Sequence, residues 1–353
     1  MKKSLYLGLL LITIWSCQND DGPTYAATPL ALDVPTFFAT SILAPVIPSD
    51  NPQTVEGVAL GKQLFYDPVL SGNGTQACAD CHLPSNSFTD SRQYSVGSQG
   101  DIGTRNSMPL FNLAWNFGQR FFWDGAEQSL ENQIFEPVTN PTEMNNSWPN
   151  VINSLEATVI YPDLFQEAFG TTRIDSVRVS KAIAQFLRTL ISGNAKFDRH
   201  LTNNTPLSPE EARGLNIFLD ETRGDCFHCH GNPNTPLWTD NRFHNNGLDA
   251  FFTDNGLGGV TGDPRDDGLF KTPSLRNLAF TAPYMHDGRF STIDQVIDHY
   301  SEGLVYSETI SPLMKNVATG GVHLTPEEKL DLKAFLLSLS DQSFIENTAF
   351  QNN

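Results

Sequence analysis

The chain has 353 residues, enough for about two domains with hydrophobic cores of ordinary size. Hydrophobic residues make up 39% of it and charged residues 18%, which argues against a wholly disordered chain or a coiled coil. The 40 acidic residues outnumber the 22 basic ones and leave a formal net charge of -18. This charge argues against a nucleic-acid partner, because phosphate backbones are bound by clustered cations.

The N-terminal segment has the pattern of an export signal. Two lysines precede an apolar run over residues 5–15, which is too short for a membrane span of about 20 residues and is typical of a secretory signal. The run ends in a lipobox-like sequence at Cys17. We expect residues 1–16 to be a lipoprotein signal peptide and residues 17–35 a tether, anchored through Cys17 on the periplasmic side. The alternative is an ordinary signal peptide followed by an incidental cysteine.

The four remaining cysteines form two C-x-x-C-H motifs, Cys78-Ala79-Asp80-Cys81-His82 and Cys226-Phe227-His228-Cys229-His230. Two thiols three positions apart on a helical turn can bond to the two vinyl groups of a haem. The adjacent histidine can then bind the iron as its proximal ligand. Such attachment takes place outside the cytoplasm, in agreement with the export signal. The motifs therefore predict two covalently bound haem c groups.

Two alternatives compete with haem attachment: a structural zinc site and a pair of disulfides. Zinc would not require a histidine directly after both second cysteines, and a spacing of about 145 residues is long for one zinc module. Disulfides would leave both histidines without a role. Haem attachment explains all six residues.

Both haem motifs lie inside an internal repeat. Upstream, residues 61–67 match 214–220, and downstream, residues 88–92 match 238–242. The later matches pair Trp123-Asp124-Gly125 with His286-Asp287-Gly288, Leu130 with Ile293 and Ile134 with Ile297. Four matches in one order predict two related haem domains, which we place at residues 36–195 and 196–345 with a hinge over 194–206.

Amphipathic patterns predict buried-face helices over residues 177–191 and 324–339. A capping box, Thr325-Pro326-Glu327-Glu328, opens the second of them, and Ser208 with Glu211 forms another before the second haem motif. No sustained alternation of apolar and polar residues occurs. We expect a mainly α fold with long loops and little β structure.

These motifs resemble those of the bacterial di-haem cytochrome c peroxidases and their MauG-like relatives. Besides both C-x-x-C-H motifs, the shared sequences are Arg105-Asn106, Phe122-Trp123-Asp124-Gly125, Glu143-Met144-Asn145, Thr272-Pro273-Ser274-Leu275-Arg276-Asn277 and Ala282-Pro283-Tyr284-Met285-His286-Asp287-Gly288. The resemblance covers nearly the whole mature chain. It implies two cytochrome c-like helical domains with a calcium ion between them. It also implies reduction of hydrogen peroxide with electrons from a small redox protein, a cytochrome c or a cupredoxin.

The resemblance implies a role for each matching residue. His82 is the expected proximal ligand of a peroxidatic haem, and His230 that of an electron-transfer haem. Trp123 matches a tryptophan between the haems, although a core aromatic is the alternative. Glu143 matches the distal acid that moves a proton between the peroxide oxygens. Gln133 matches a second polar distal residue, with a surface glutamine as the alternative.

A calcium site and two propionate contacts also follow from the resemblance. Asn106, Thr281 and Pro283 match the calcium ligands, the last two through backbone carbonyls, and such hard oxygen donors suit calcium. His244 and His286 are expected to bond haem propionates rather than iron.

The distal positions of the two irons differ. In the family, the electron-transfer haem takes a ligand fourteen residues after the histidine of the H-D-G motif, which here is Tyr300, with Met285 as the alternative. The repeat places Pro137, which cannot coordinate iron, at the equivalent position. Many relatives close the peroxidatic haem with a histidine after Ser-Val-Gly, where this chain has Ser98. We expect the iron of the second haem to be closed, with a sixth ligand from the protein. We expect the iron of the first haem to be open at rest, five-coordinate or bound to water, so that it needs no reductive activation.

Three functions remain open at this point. A peroxidase is favoured. A MauG-like oxidase that modifies a protein or organic substrate is supported by Tyr300 and Ser98. A non-catalytic di-haem electron carrier is disfavoured, because it has no use for an acid such as Glu143 beside an open iron. The resemblance suggests a homodimer, and the acidic surface could steer a basic cytochrome.

Overall fold

The computed structural model describes residues 25–352, so the predicted signal peptide and Cys17 lie outside the described residues. Within this range the fold is mainly α, with fourteen helices, a two-stranded sheet and long loops. No helix in residues 25–352 has the length and apolarity needed to cross a membrane.

The helices follow one another in two series with long loops around the haem motifs. The first series is α1 (Thr36–Ser41), α2 (Val55–Tyr66), α3 (Leu130–Gln133), α4 (Phe135–Thr139), α5 (Trp148–Glu156), α6 (Ile160–Phe169) and α7 (Ser176–Thr189). The second is α8 (Lys196–Asn203), α9 (Pro209–Leu219), α10 (Phe227–His230), α11 (Leu257–Thr261), α12 (Ile293–Glu302), α13 (Pro326–Leu337) and α14 (Gln342–Ile345). Strands β1 (Phe243–His244) and β2 (Phe270–Lys271) pair antiparallel.

Each half is built on one closely packed pair of helices. In the first half, Gly61 of α2 lies against the carbonyl of Ala182 on α7, and a Cβ at Gly61 would lie 1.9 Å from that oxygen. In the second half, Gly214 of α9 lies against the carbonyl of Asp331 on α13, and a Cβ would lie 2.0 Å away. Glycine is required at both places because no side chain fits between the helices. The two halves therefore share one packing geometry.

The loops repeat as well. Isolated antiparallel bridges join Phe121 to Glu127 in the first half and Tyr284 to Phe290 in the second. Ser129 caps α3 and Thr292 caps α12, each by accepting a hydrogen bond from a backbone N–H three residues on. The predicted internal duplication is thus visible in the structure.

The helices predicted from amphipathic patterns are confirmed. The pattern over 177–191 corresponds to α7 and that over 324–339 to α13, which buries Leu332, Phe335 and Leu336. The capping boxes at Thr325 and Ser208 are both present. In each, the hydroxyl and the glutamate three residues later satisfy free backbone N–H groups at the start of the helix.

The hinge predicted over residues 194–206 is wrong. Residues 196–203 form α8, whose Phe197 is 1% exposed and packs in the core of the second half. Asp198 accepts hydrogen bonds from both terminal nitrogens of Arg276, at 2.8 and 2.6 Å, and both side chains are buried. A buried, paired charge of this kind fixes the segment in place.

The C-terminal segment returns to the first half. Phe344 on α14 is 3% exposed and belongs to the first hydrophobic core, where its ring contacts those of Phe88 and Phe111. Asp341, just before α14, accepts backbone hydrogen bonds from Gly193 and Asn194 at 3.0 and 2.9 Å. The segment that links the halves is therefore held by the end of the chain, and the domain boundary at residue 196 stays a prediction.

Candidate functional site

A cavity of about 1110 Å³ lies around the first C-x-x-C-H motif, with Cys78, Cys81 and His82 in its wall. Cys78 begins a short 3₁₀ turn, and the backbone N–H of His82 donates to the carbonyl of Cys78 at 3.0 Å. The His82 Nδ1 lies 2.9 Å from the carbonyl oxygen of Phe88. This contact leaves Nε2 free for a metal, which is the usual arrangement of a ligating histidine.

The second motif spans the start of α10. The backbone N–H of His230 donates to the carbonyl of Cys226 at 3.1 Å, which is one helical turn. Burial lowers the pKa of His230 to about 4, so its ring is neutral, as an iron ligand must be. Its Nδ1 is buried without a hydrogen-bond partner among the described residues. A buried neutral imidazole of this kind fits a haem iron site.

The cysteines are free, and their placement does not suit zinc. Cys78, Cys81, Cys226 and Cys229 carry no disulfide. Within residues 25–352 no cluster of three or more His, Cys, Asp or Glu side chains could hold a metal ion. Burial raises the pKa of both Cys78 and Cys226 to about 12, so these are protonated thiols at neutral pH.

Glu143 lies in the wall of the same cavity as His82. Burial raises the pKa of its carboxyl, while a hydrogen bond of 2.8 Å from Asn140 Nδ2 to Glu143 Oε1 lowers it, and the net direction is upward. The backbone carbonyl of Glu143 accepts from the N–H of Ser98 at 2.7 Å. The side chain can therefore exchange a proton in a largely dry site.

Ser98 follows Ser95-Val96-Gly97, in the loop where the resemblance led us to look for a closing histidine. Its Oγ donates to the carbonyl of Met144 at 3.0 Å, and Gly97 lies against the carbonyl of Thr142. The loop is thus packed onto the segment that carries Glu143. This contact was not visible in the sequence, because it joins residues about 45 positions apart and only the glycine hints at a close approach.

Trp123, Gln133 and Pro137 also line the cavity. Trp123 is 7% exposed, and its indole N–H donates to the carbonyl of Asn106 at 2.8 Å. Its own carbonyl accepts from the N–H of Lys271 in the second half at 2.8 Å. The structure therefore brings the predicted catalytic residues to one cavity and ties Trp123 to both halves.

Tyr300 and Met285 both face the side chain of Asn246. The Asn246 Nδ2 lies 3.1 Å from the Tyr300 hydroxyl oxygen and 3.6 Å from the Met285 sulfur. Burial raises the pKa of Tyr300 to about 12, and Cys226 and Cys229 are close enough for a charge on either sulfur to raise it further. Both predicted candidates for the distal ligand thus converge on Asn246 near the second motif.

His244 and His286 occupy different environments. His244 Nε2 bonds Asp240 Oδ2 at 2.8 Å, which together with Cys229 raises the pKa of His244 to about 10. His286 lines the cavity and stacks on Phe270, with ring centroids 3.6 Å apart. One of the two predicted propionate partners is therefore already paired with a carboxylate.

The residues of the predicted calcium site lie near the contact between the halves. Asn106 and Thr281 are buried, and Pro283 follows a cis peptide bond. The backbone N–H of Asn106 donates to the carbonyl of His286 at 2.7 Å. The Asn106 side-chain amide donates to the carbonyls of Arg92 and Gln93.

No role was predicted from the sequence for the cationic side chains of the cavity, although Arg105 belongs to a shared motif. Arg105 bonds Asp254 and Asp124, Arg289 bonds Asp249 and Asp287, and Lys271 is 6% exposed on β2. A further match of the repeat, Asn112-Leu113-Ala114 with Asn277-Leu278-Ala279, sets Lys271 opposite Asn106 and was the signal that could have found the lysine.

Comparison with known proteins gives one consistent family. The family model for the di-haem cytochrome c peroxidases matches residues 55–206. The methylamine utilization protein MauG of Methylorubrum extorquens is 40% identical over 298 residues, covering 83% of this chain and 80% of that protein. The cytochrome c551 peroxidase of Nitrosomonas europaea is 32% identical over 286 residues, covering 78% and 83%.

Solved structures show the same fold. A MauG-like protein associated with microbial copper homeostasis has a TM-score of 0.81 at 34% identity, with 91% of this chain and 99% of that chain covered. The diheme peroxidase BthA of Burkholderia thailandensis has a TM-score of 0.74 at 24% identity, covering 89% and 94%.

Proposed function

The chain belongs to the family of di-haem cytochrome c peroxidases and MauG proteins, and on that premise we propose that it reduces hydrogen peroxide to water with electrons from a small redox protein. The observation that carries this proposal is Glu143, a largely buried carboxyl with a raised pKa in the cavity of Cys78, Cys81 and His82. An electron carrier needs no acid at that place.

The reaction consumes one hydrogen peroxide, two electrons and two protons and forms two water molecules. A haem held by Cys78, Cys81 and His82 would supply the redox-active iron that the reaction needs. Glu143 takes the proton from the peroxide oxygen that would bind the iron and delivers it to the other peroxide oxygen. That second oxygen then leaves as water. Asn140 holds the carboxyl in place through Glu143 Oε1. General acid–base work of this kind contributes typically 10² to 10⁴ in rate.

The remaining residues serve binding and electron supply. A haem held by His230 would supply the electrons, and Trp123, whose indole and backbone are bonded to residues of both halves, would lie on their path. Gln133 lines the cavity of the first motif, and Asn106, Thr281 and Pro283 would hold a calcium ion between the halves. We place the protein on the periplasmic side, because haem c attachment occurs outside the cytoplasm, and we keep the lipid anchor and a homodimer as predictions.

Peroxide turnover with reduced cytochrome c tests the proposal on the purified di-haem protein. Glu143→Gln removes the proton acceptor but keeps the size of the side chain, so we expect kcat to fall by about 10² to 10⁴. Glu136→Gln is the matched control, since Glu136 lines the same cavity but is exposed. Turnover by Glu143→Gln at the wild-type rate would contradict the assignment.

The pH profile gives a second readout for Glu143. Its carboxyl must be ionised to accept the peroxide proton, and burial raises its pKa above the ordinary value of 4.5. Activity should therefore be full above the raised pKa and be lost as the pH falls through it. This acid limb should be missing from the residual activity of Glu143→Gln.

A MauG-like oxidase is the second candidate, and the observation that favours it is Tyr300 at the second motif. A tyrosinate ligand stabilises ferric iron and lowers the reduction potential, which makes electron uptake from a high-potential cytochrome harder. If peroxide is consumed without oxidation of either a reduced cytochrome c or a reduced cupredoxin, the oxidase is supported and the peroxidase is excluded.

A further inference from the structure

Lys271 is a buried cation whose charge has no anionic partner within residues 25–352. It is 6% exposed, and its Nζ donates to the carbonyl of Arg120 at 2.8 Å and lies 5.6 Å from the centre of the Phe121 ring. An ammonium group has three donors, and a buried charge is costly unless it is paired. Burial lowers its pKa to about 8, and no carboxylate of residues 25–352 offsets this effect.

The lysine lines the cavity that also contains Cys78 and His82. Three Lys or Arg side chains of the described chain line this cavity, and Arg105 and Arg289 each already bond two carboxylates. Lys271 is the one that has none. Within the described chain, Lys271 is therefore the cavity cation that is available to bind a negatively charged group of a ligand.

The duplication explains why a cation stands at this place. The N–H of Asn106 donates to the carbonyl of His286 at 2.7 Å, and the N–H of Lys271 donates to the carbonyl of Trp123 at 2.8 Å. His286 and Trp123 are equivalent in the repeat, so Lys271 is the counterpart of Asn106.

The carbonyl that accepts the hydrogen bond from the Lys271 ammonium also has a counterpart in the other half. Arg120, whose carbonyl binds Lys271, lies three residues before Trp123, as Pro283 lies three residues before His286. The Lys271 Nζ therefore lies where the other half would hold the calcium ion that we propose at Asn106 and Pro283.

We propose that Lys271 is a built-in cation that the second half contributes to the cavity of the first motif, where it binds a propionate carboxylate of the haem attached at Cys78 and Cys81. The ammonium keeps its bond to the Arg120 carbonyl and uses its free donors for the carboxylate. This inference rests on the proposed haem at the first motif, but it requires neither peroxide turnover nor the calcium ion. Lys271 is accordingly a positioning residue for the haem.

The test is a spectroelectrochemical titration of both haems in the purified di-haem protein, without peroxide or donor. Lys271→Gln keeps a donor for the Arg120 carbonyl but loses the charge, and we expect it to lower the midpoint potential of the haem of His82. Removal of a positive charge beside a propionate favours the ferric, more positive iron. Lys271→Arg keeps the charge and should restore most of the wild-type potential.

Lys62→Gln is the matched control, because Lys62 is accessible, also donates to a backbone carbonyl and lies in the first half. It should leave both potentials unchanged. Haem content and the circular dichroism spectrum establish that each variant is folded and loaded. The proposal is overturned if Lys271→Gln has wild-type potentials, or if only the haem of His230 shifts. A loss of peroxidase activity with unchanged potentials would equally count against it.

Discussion

The two halves differ at the positions that we predict to face the sixth coordination sites of the irons. In the first half the repeat puts Pro137, which has no ligand atom, in the cavity wall, and Ser98 Oγ is bonded to the Met144 carbonyl. In the second half Tyr300 and Met285 converge on Asn246. These differences predict an open iron in the first half and a closed iron in the second, although both halves share one duplicated fold.

Electron paramagnetic resonance of the oxidised protein as isolated tests this difference at low temperature. We expect one high-spin signal from the haem of His82 and one low-spin signal from the haem of His230. Tyr300→Phe removes the oxygen ligand without changing the ring and should abolish the low-spin signal. Met285→Leu is the control and should retain it. Two low-spin signals in the wild type, or loss of the signal in Met285→Leu alone, would show that another ligand is used.

The loop around Gly97 packs directly against the backbone of Glu143, the predicted distal acid. A Cβ at Gly97 would lie 2.3 Å from the carbonyl oxygen of Thr142 and 2.8 Å from that of Glu143. Both oxygens are backbone atoms, so the two segments would have to separate. Ser98 also donates hydrogen bonds to the carbonyls of Glu143 and Met144. A displacement of the loop should therefore displace Glu143 as well.

Gly97→Ala should therefore displace Glu143 and reduce peroxide turnover by up to about 10²-fold, the cost of misplacing a reacting group by roughly 1 Å. Overpacking should also lower the free energy of unfolding by about 1–3 kcal/mol. Gly103→Ala in the same loop is the control, since its nearest atom would be 3.8 Å from the new Cβ. Equal turnover and equal denaturation midpoints for the two variants would refute the coupling.

Local chemistry explains which elements the sequence could predict. Capping boxes and apolar stripes are local signals, so α13 and its start at Thr325 follow from the sequence. The segment 194–206 was misjudged because its polar, Pro-containing composition resembles a linker. Its burial depends on Arg276, which lies 78 positions from Asp198. The burial of Lys271 was missed for the same reason, since a lysine is ordinarily exposed and its partners are distant in sequence.

The residues of the candidate site could be predicted from the sequence, but most contacts between them could not. Iron ligands and haem-attachment residues are carried by contiguous motifs, and Trp123 and Glu143 by the family resemblance. Contacts such as Gly97 with Thr142 or Asn246 with Tyr300 arise only when distant loops meet. Sequence reasoning therefore identifies the chemical groups, whereas the structure is needed to show what holds them.

At the scale of the whole molecule, the chain end joins the two halves. Phe344 is buried in the first core although it follows the last long helix of the second half, and Asp341 bonds the segment between the halves. The halves therefore share side chains rather than meeting only at their surfaces. Multidomain proteins with bound cofactors commonly unfold in several steps, but these shared side chains lead us to expect a single cooperative transition for the two-haem protein.

Phe344→Ala should remove this coupling. Truncation of a buried phenylalanine costs about 3–5 kcal/mol, and the loss falls on the first core, which contains the Phe88 and Phe111 rings. Differential scanning calorimetry should then show two transitions, the earlier one coinciding with loss of the absorbance of the His82 haem. Phe251→Ala, at a side chain that is 90% exposed, should keep the single wild-type transition. If the wild type already unfolds in two steps and Phe344→Ala shifts only the step of the His230 haem, the chain end belongs energetically to the second half.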